Sequence, residues 1–311
     1  MSQSFLSRLP LSRFDIDRDH LTREREDLWE ALWADPATRI LPIFQGAALL
    51  SGPHRLALMP VEALPPGDTV TRVYLGRTTS PSDDVPSGAP IVAVELEDAR
   101  HLAEAEWANL RQVGAQLSDR DAGLLTEALG ILNWHDSHRF SPRTGEPTVA
   151  EKGGWVRRDT VSGLEIFPRT DPAIIVGVID SEDRILLGSN ALWESNRYSL
   201  LAGFVEPGES LESAVQREVF EESGVRVVDP VYLGSQPWPF PASLMLGFMA
   251  RVADDFGGAA EADGTEILDV RWFSRADIAA SLDEIKLPGR TSIARAIIEE
   301  WYGSVIDDGQ P

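Results

Sequence analysis

Residues 203–225 read G-F-V-E-P-G-E-S-L-E-S-A-V-Q-R-E-V-F-E-E-S-G-V, and the rest of the chain is best interpreted around this stretch. Ser210 is a good helix N-cap and Gly224 is a good C-terminal stop. No residue between them breaks a helix. The pattern therefore predicts a helix from about Leu211 to Ser223.

The predicted helix carries a concentrated acidic face. Glu218, Glu221 and Glu222 stand at positions i, i+3 and i+4, which share one side of a helix. Val215 and Val219 form an adjacent apolar stripe that can anchor the helix to a core. Crowded carboxylates repel one another, and a hard divalent cation that prefers oxygen ligands, such as Mg²⁺ or Mn²⁺, would remove that repulsion. The alternative for such a run is a solvated acidic surface.

The composition excludes several classes of protein. The chain has 311 residues, enough for two domains, and its 43% hydrophobic and 25% charged residues are typical of soluble globular proteins. It has no apolar run long enough to span a membrane. The first residues lack an apolar export segment and a small-residue cleavage site, so we expect no export. The lack of cysteine excludes disulfides and Cys-ligated zinc, and it is compatible with a cytoplasmic location, which we expect.

The charge bears on nucleic-acid binding. A net charge of −22 argues against sequence-independent binding along a nucleic-acid backbone, because such binding needs a basic track. Contact with one terminal nucleotide through a metal-filled site remains compatible with this charge.

The sequence patterns divide the chain into three segments. Residues 1–125 predict an N-terminal α/β domain rich in short strands, because short apolar runs alternate with Gly, Pro, Ser and Asp clusters. Strands are expected at 39–44, 55–60, 72–76 and 90–96, followed by helices near 99–117 and 119–140. Residues 168–311 predict a mixed sheet flanked by helices, with the acidic helix packed against it. Its strands are expected at 171–180, 184–188, 198–205, 231–234, 243–252 and 267–273, and its closing helices near 275–283 and 291–302.

The middle segment, residues 126–167, has the spacing of a zinc ribbon without its sulfurs. Ser141 and Thr144 are separated by two residues, and so are Asp159 and Ser162. Three hydroxyls and one carboxylate are poor substitutes for four thiolates at a tetrahedral zinc site. His135 and His138 are interpreted as packing or surface residues. No zinc is therefore expected in this connector.

A second motif, S-Q-P-W-P-F-P-A-S, occupies residues 235–243. Its prolines and aromatic residues predict a stiff loop with flat apolar surfaces that suit a planar base or ring. By itself the motif is better explained as a rigid surface turn whose Trp238 and Phe240 fill the core.

Both motifs together resemble a known family. The spacing G-x5-E-x7-R-E-U-x-E-E-x-G-U, in which U is an aliphatic residue, is the signature of Nudix hydrolases, and residues 203–225 fill every fixed position. Followed by S-Q-P-W-P-F-P-x-S, it resembles the NADH pyrophosphatases of that superfamily, which cleave NAD(H) to nicotinamide mononucleotide and AMP and remove NAD caps from RNA 5′ ends. The resemblance covers nearly all of residues 106–302. It implies an α/β/α Nudix sandwich preceded by the small N-terminal domain and the degenerate ribbon.

The resemblance also implies roles for individual residues. Arg217 would hold Glu209 and orient the acidic cluster, in which one carboxylate would be the base that activates water. Two or three Mg²⁺ or Mn²⁺ ions are implied. Their ligands would be the backbone carbonyl of Ala202 and the carboxylates of Glu218, Glu221, Glu222 and Glu266.

Substrate contacts are implied in the same way. Phe204 would stack on the nicotinamide ring, and Phe167 would be supplied by the other subunit of a homodimer. Arg111 matches a basic substrate contact. The other implied positions are Gln236, Pro237, Trp238, Pro239, Phe240, Ser243 and Ala294.

The predicted function is therefore metal-dependent hydrolysis of the pyrophosphate of NADH or NAD⁺, with the 5′ end of NAD-capped RNA as a further substrate. Two alternatives stay open at this point. One is a Nudix hydrolase of another specificity, such as an ADP-ribose pyrophosphatase. The other is a non-catalytic nucleotide sensor, although the complete set of box carboxylates favours an enzyme.

Overall fold

The computed structural model describes residues 5–64, 69–82, 85–102, 105–194 and 196–309. They form two compact units. The first unit comprises the described residues of Arg13–Thr170 together with Trp238–Ala242. The second comprises the described residues of Met1–Ser12, Asp171–Pro237 and Ser243–Pro311. The two compact units therefore differ from the three segments predicted along the sequence. Residues 126–167, predicted as a connector, lie in the first unit, and residues 5–12, predicted in the N-terminal domain, lie in the second.

The first unit is built on a mixed sheet. Its first eight strands are β1 (Ile16–Asp17), β2 (Arg39–Phe44), β3 (Ala47–Gly52), β4 (Arg55–Leu56), β5 (Met59–Pro60), β6 (Thr69–Thr78), β7 (Pro90–Leu96) and β8 (Trp107–Asn109). Its helices are α1 (Leu28–Ala34), α2 (Leu110–Val113) and α3 (Asp119–Ser137). These strands pair in the order β1-β6-β7-β2-β3-β4, with β5 on β2 and β8 on β3. Leu28 and Leu32 of α1 pack on the buried side chains of β2, β6 and β7.

The strands predicted at 39–44 and 90–96 are confirmed, and the helix predicted from 119 is confirmed as α3. The helix predicted at 99–117 is wrong. Residues 107–109 instead form β8, which pairs antiparallel with β3. Among the described residues of 99–117, only Leu110–Val113 are α-helical. Pairing with a neighbouring strand overrides the local helical preference of this segment.

The sulfur-free ribbon folds as a three-stranded sheet of β9 (Thr148–Glu151), β10 (Val156–Asp159) and β11 (Glu165–Ile166). Asp159, at the end of β10, accepts several of the hydrogen bonds that hold this segment together. Its carboxylate accepts hydrogen bonds from the Thr144 hydroxyl and from the backbone amides of Val161 and Ser162, at 2.9 and 2.8 Å for the two amides. These hydrogen bonds and one from Ser141 hold the pKa of Asp159 below its usual range. Hydrogen bonds to an ionised carboxylate therefore connect the four positions that a zinc ribbon would use for ligands.

The second unit contains β12 (Asp171–Ile179), β13 (Ile185–Asn190), β14 (Leu201–Phe204), α4 (Leu211–Ser223), β15 (Val227–Trp238), β16 (Ser243–Val252), β17 (Ile267–Phe273), α5 (Arg275–Ser281) and α6 (Ile293–Tyr302). The strands pair in the order β15-β16-β12-β13-β17, and β14 pairs with β12. β12 and β16 run parallel, whereas β13 and β14 are antiparallel to β12. The sheet is therefore mixed, as predicted.

Alternation along the central strand creates the layers of this unit. Ile174 and Val176 of β12 belong to a core with Val215 and Val219 of α4. Ile175, which points to the opposite face, belongs to a second core with α5 and α6. Because successive side chains of a strand point to opposite faces, helices cover both sides of the sheet. The predicted α/β/α sandwich is confirmed.

Two findings in this unit were not expected. The motif at 235–243 is only partly a loop, since β15 continues to Trp238. The prolines at 230 and 237 are compatible with this strand because it lies at the end of the sheet order, where a missing N–H is tolerated. Leu9, near the N-terminus, is fully buried in the core beside α6.

Among the described residues, no helix is long and apolar enough to cross a membrane.

Candidate active site

Helix α4 begins and ends where the sequence predicts. The Ser210 side chain accepts a hydrogen bond from the Ser213 amide at 3.1 Å, and Gly224 ends the helix in the left-handed region at φ +68°. Val215 and Val219 are fully buried against the sheet. The helix is thus fixed at both ends and along one side, which orients its acidic face.

Arg217 is the centre of a network of ion pairs. It donates two hydrogen bonds to the Glu209 carboxylate, at 2.6 and 3.0 Å. Its Nη1 donates to Glu218 and to Glu221, each at 2.9 Å, and its Nη2 donates to the backbone carbonyl of Phe204 at 3.0 Å. Arg217 thus pairs with Glu209 as predicted. Because it also bonds to Phe204 of β14, the same guanidinium links β14 to α4.

Glu222 differs from its neighbours because it is buried, with only 5% of its surface exposed. The backbone amide of Ala202 hydrogen-bonds to its carboxylate, but Oε2 has no hydrogen-bond partner among the described residues. Burial, reinforced by the charges of Glu218 and Glu266, raises the pKa of Glu222 to about 8. A buried carboxylate oxygen without a partner is costly and indicates a missing cation or proton.

Glu218 lies against β14. A side chain at Gly203 would overlap the Glu218 carboxylate, so the first glycine of the motif leaves the space that this carboxylate fills. Burial raises the pKa of Glu218, although Arg217 opposes this shift. Glycine is required here by close approach, not by its backbone conformation.

Glu266 is brought to the cluster from the start of β17, and a loop aspartate that the sequence reasoning missed holds it there. The Asp263 carboxylate accepts hydrogen bonds from the amides of Glu266 and Ile267, at 3.0 and 2.7 Å. The Asn190 side-chain amide donates to Glu266 at 3.5 Å. Asp at the start of D-G-T-E is a typical signal for such a turn and could have identified Asp263.

The donor set fits a divalent cation. The charge of Glu266 raises the pKa of both Glu218 and Glu222, and the charge of Glu218 also raises that of Glu222. The unpartnered oxygen of Glu222 is available as a ligand. In the described part of the chain, no three His, Asp or Glu side chains already stand at metal-ligand spacing. Arg217 pairs with Glu218 and Glu221 instead. Arg217 contacts one oxygen of each of these two carboxylates, so the other oxygen of each is not paired with it.

Residues Trp238–Ala242 of the second motif, here called the aromatic turn, lie in the first unit, where Arg111 contacts them. The Arg111 guanidinium lies over the Phe240 ring at 4.0 Å and over the Trp238 ring at 5.0 Å. The two rings meet edge to face, with centroids 4.9 Å apart. Asn133 of α3 donates to the carbonyls of Pro239 and Pro241, at 2.9 and 3.1 Å. Arg111, Trp238 and Phe240, which were all predicted as substrate contacts, therefore lie next to one another.

The other predicted substrate contacts fall into two groups. Phe204 and Phe167 are exposed, at 58% and 61%. Gln236 and Ala294 are buried, and the Gln236 amide is used internally, because it accepts from the Leu11 amide at 3.2 Å and donates to the Thr291 carbonyl at 3.0 Å. Neither buried side chain faces solvent. Pro237 is exposed at the end of β15, and Ser243 is half-buried at the start of β16.

The comparisons with known proteins agree with this geometry. The family model of the NUDIX domain matches residues 168–295, which contain the whole carboxylate cluster. The model described as NADH pyrophosphatase-like rudimentary NUDIX domain matches residues 37–134. The fold and the site therefore define a Nudix hydrolase, and the protein is an enzyme of that class.

Curated relatives narrow the class of enzyme further. The chain is 39% identical over 312 residues to the NAD-capped RNA hydrolase NudC of Mycobacterium bovis, covering 94% of both chains. It is 35% identical to NudC of Stutzerimonas stutzeri, covering 91% of this chain and 97% of that one. It is also 37% identical to the NAD-capped RNA hydrolase NUDT12 of Macaca fascicularis, over 60% of this chain and 43% of the relative. The chain belongs to the NADH pyrophosphatase (NAD-capped RNA hydrolase) family of the Nudix superfamily.

Proposed function

We propose that the protein hydrolyses the pyrophosphate bond of NADH and NAD⁺ to nicotinamide mononucleotide and AMP, and that it removes NAD caps from RNA 5′ ends. The observation that carries the proposal is the buried Glu222 carboxylate with its unpartnered oxygen, placed beside Glu218 and Glu266. The names of relatives that align over 94% of the chain support the choice of substrate.

The metal requirement is part of the proposal. Glu218, Glu221, Glu222 and Glu266, with the Ala202 carbonyl, would hold two or three Mg²⁺ or Mn²⁺ ions. When bound, such ions neutralise pyrophosphate oxygens and lower the pKa of an attacking water.

The chain's own residues position these groups. Arg217 fixes Glu209 and links β14 to α4, so it is a positioning residue. A carboxylate of the cluster would accept the proton of the attacking water. Phe204 offers an exposed ring, next to the Gly203 that makes room for Glu218, on which the nicotinamide would stack.

We also propose a cytoplasmic homodimer in which Phe167 reaches the partner's substrate. The exposed Phe167 ring supports this role. Measurement of the molecular mass in solution, with Phe167→Ala as the matched variant, tests it. A monomeric wild-type protein with full activity would contradict it.

The deciding experiment measures AMP release from NADH, NAD⁺ and ADP-ribose, and release of nicotinamide mononucleotide from NAD-capped RNA, with Mn²⁺, with Mg²⁺ and with EDTA. We expect product release from NADH, NAD⁺ and the capped RNA only when metal is present, and a reduction of at least about 100-fold for Glu222→Gln. Release from ADP-ribose alone would assign a different Nudix specificity. Undiminished release in EDTA would refute the metal-dependent mechanism.

A further inference from the structure

The first unit contains a polar cleft of about 420 Å³. Strands β6 and β7, the C-terminal end of α3 and the ribbon strands β9 and β10 contribute to its walls, and all its lining residues belong to the first unit. None of the residues assigned to the hydrolytic reaction above lines it. We call it the ribbon cleft.

The lining of the ribbon cleft carries an excess of positive charge. Three arginines, Arg72, Arg139 and Arg157, line it together with two carboxylates, Glu95 and Asp136. Asp136 is already paired with Arg139. With that pair set aside, the lining has two arginines, Arg72 and Arg157, and one carboxylate, Glu95, whose pKa is raised by burial. In a chain with a net charge of −22, this local excess is unusual.

Arg157 is held rigidly at the cleft. It donates to the Thr148 hydroxyl at 2.6 Å, to the Thr148 carbonyl at 2.9 Å and to His135 Nδ1 at 2.8 Å. His135 can accept this bond because its Nε2–H donates to the Gly154 carbonyl and because burial lowers its pKa to about 4, so that the ring is neutral. Three of the five guanidinium N–H groups are thus used, and one on each terminal nitrogen is left.

Neither Arg72 nor Arg157 has a carboxylate partner at ion-pair distance within the described residues. Arg72 instead lies over the Trp29 ring at 4.2 Å and over the Trp33 ring at 5.1 Å. Arg139 lowers the pKa of Arg157, as expected of a second cation nearby, after the larger effect of burial. Guanidinium groups that are oriented but not neutralised are a typical anion site.

We infer that the ribbon cleft binds a small phosphate-bearing molecule of about the size of a nucleoside monophosphate. The fork-shaped donors of Arg157 and Arg72 match phosphate oxygens. The volume lies at the lower end of the range typical of small-ligand sites. The acidic surroundings repel a long polyanion, which favours a compact ligand over a nucleic-acid strand.

Isothermal titration calorimetry on the full chain tests the inference, in low salt with EDTA so that the acidic site of the second unit is without metal. The probes are AMP, inorganic phosphate and adenosine. We expect AMP and phosphate to bind and adenosine to bind far more weakly. Arg72→Gln, at the exposed rim, should weaken AMP binding about tenfold, because one charge-assisted contact is lost.

Two further variants make the result decisive. Arg139→Gln should also weaken AMP binding, whereas Arg143→Gln, which removes an exposed arginine of the first unit outside the cleft, should leave the affinity unchanged. Circular dichroism verifies the folding of each variant. Equal affinity of Arg72→Gln and wild type, tight binding of adenosine, or preference for a single-stranded RNA over AMP would each overturn the inference.

Discussion

The buried Glu222 carboxylate lowers the stability of the metal-free protein at neutral pH, although the proposed hydrolysis requires it. The substitution Glu222→Gln separates these two effects. The ordinary pKa of a glutamate is 4.5, and that of Glu222 is raised to about 8. A raised carboxyl pKa means that its stabilising contribution is complete below pH 4.5 and is lost as the pH rises through 8. The metal-free wild type should therefore lose stability over this window.

The magnitude follows from the same pKa. Each pH unit above 4.5 costs about 1.4 kcal/mol until the pH reaches the folded-state value, so at pH 7 the cost is about 3 kcal/mol. Glutamine has no charge to bury but places an amide group where Oε2 has no partner, which costs about 1 kcal/mol. We therefore expect metal-free Glu222→Gln to be more stable than wild type at pH 7 by about 2 kcal/mol, and no more stable at pH 4.5.

Urea unfolding in EDTA at several pH values measures this difference. Glu221→Gln is the matched control, because the Glu221 side chain is 56% exposed and its removal should change stability by less than about 0.5 kcal/mol. In parallel, Glu222→Gln should reduce AMP release by at least about 100-fold with Mn²⁺, as expected when a metal ligand or base is lost. A variant that is less stable than wild type at pH 7, or that keeps its activity, would refute the reasoning.

Three other perturbations test separate parts of the structure. Gly203→Ala should lower AMP release by about 100-fold with an unchanged circular dichroism spectrum, because the new methyl group displaces the Glu218 carboxylate; near wild-type release would show that this carboxylate is free to move. Asp159→Ala should increase hydrogen exchange across residues 141–162, since the turn loses its central acceptor, and unchanged protection would contradict that role. Glu127 is buried in the first unit, and burial raises its pKa to about 7. The stability that it contributes below pH 4.5 is therefore lost as the pH rises through 7. Glu127→Gln should flatten the dependence of urea stability on pH between pH 5 and 8, and an unchanged slope would contradict this assignment.

Local signals in the sequence were sufficient for the acidic helix and for the class of enzyme. The limits of α4 follow from Ser210 and Gly224, because capping and the left-handed glycine act within one turn of the helix end. The strands at 39–44 and 90–96 follow from continuous apolar runs. The helix predicted at 99–117 was wrong because its residues pair with a strand some sixty positions earlier in the chain.

Only the tertiary structure decided the burial and the hydrogen-bond partners of each carboxylate in the motif. Glu221 and Glu222 are adjacent in the sequence and share the predicted acidic face, yet the first is exposed and the second is buried beneath β14 with an unpartnered oxygen. The sequence likewise does not reveal that Asp159 connects the sulfur-free ribbon or that Arg157 and His135 meet at a cleft. The sequence by itself determined the helix, its caps and the identity of the acidic residues, because these depend on neighbours in the chain. Burial, pKa and the pairing of charges depend on residues that are distant in sequence, and so they were decided by the fold.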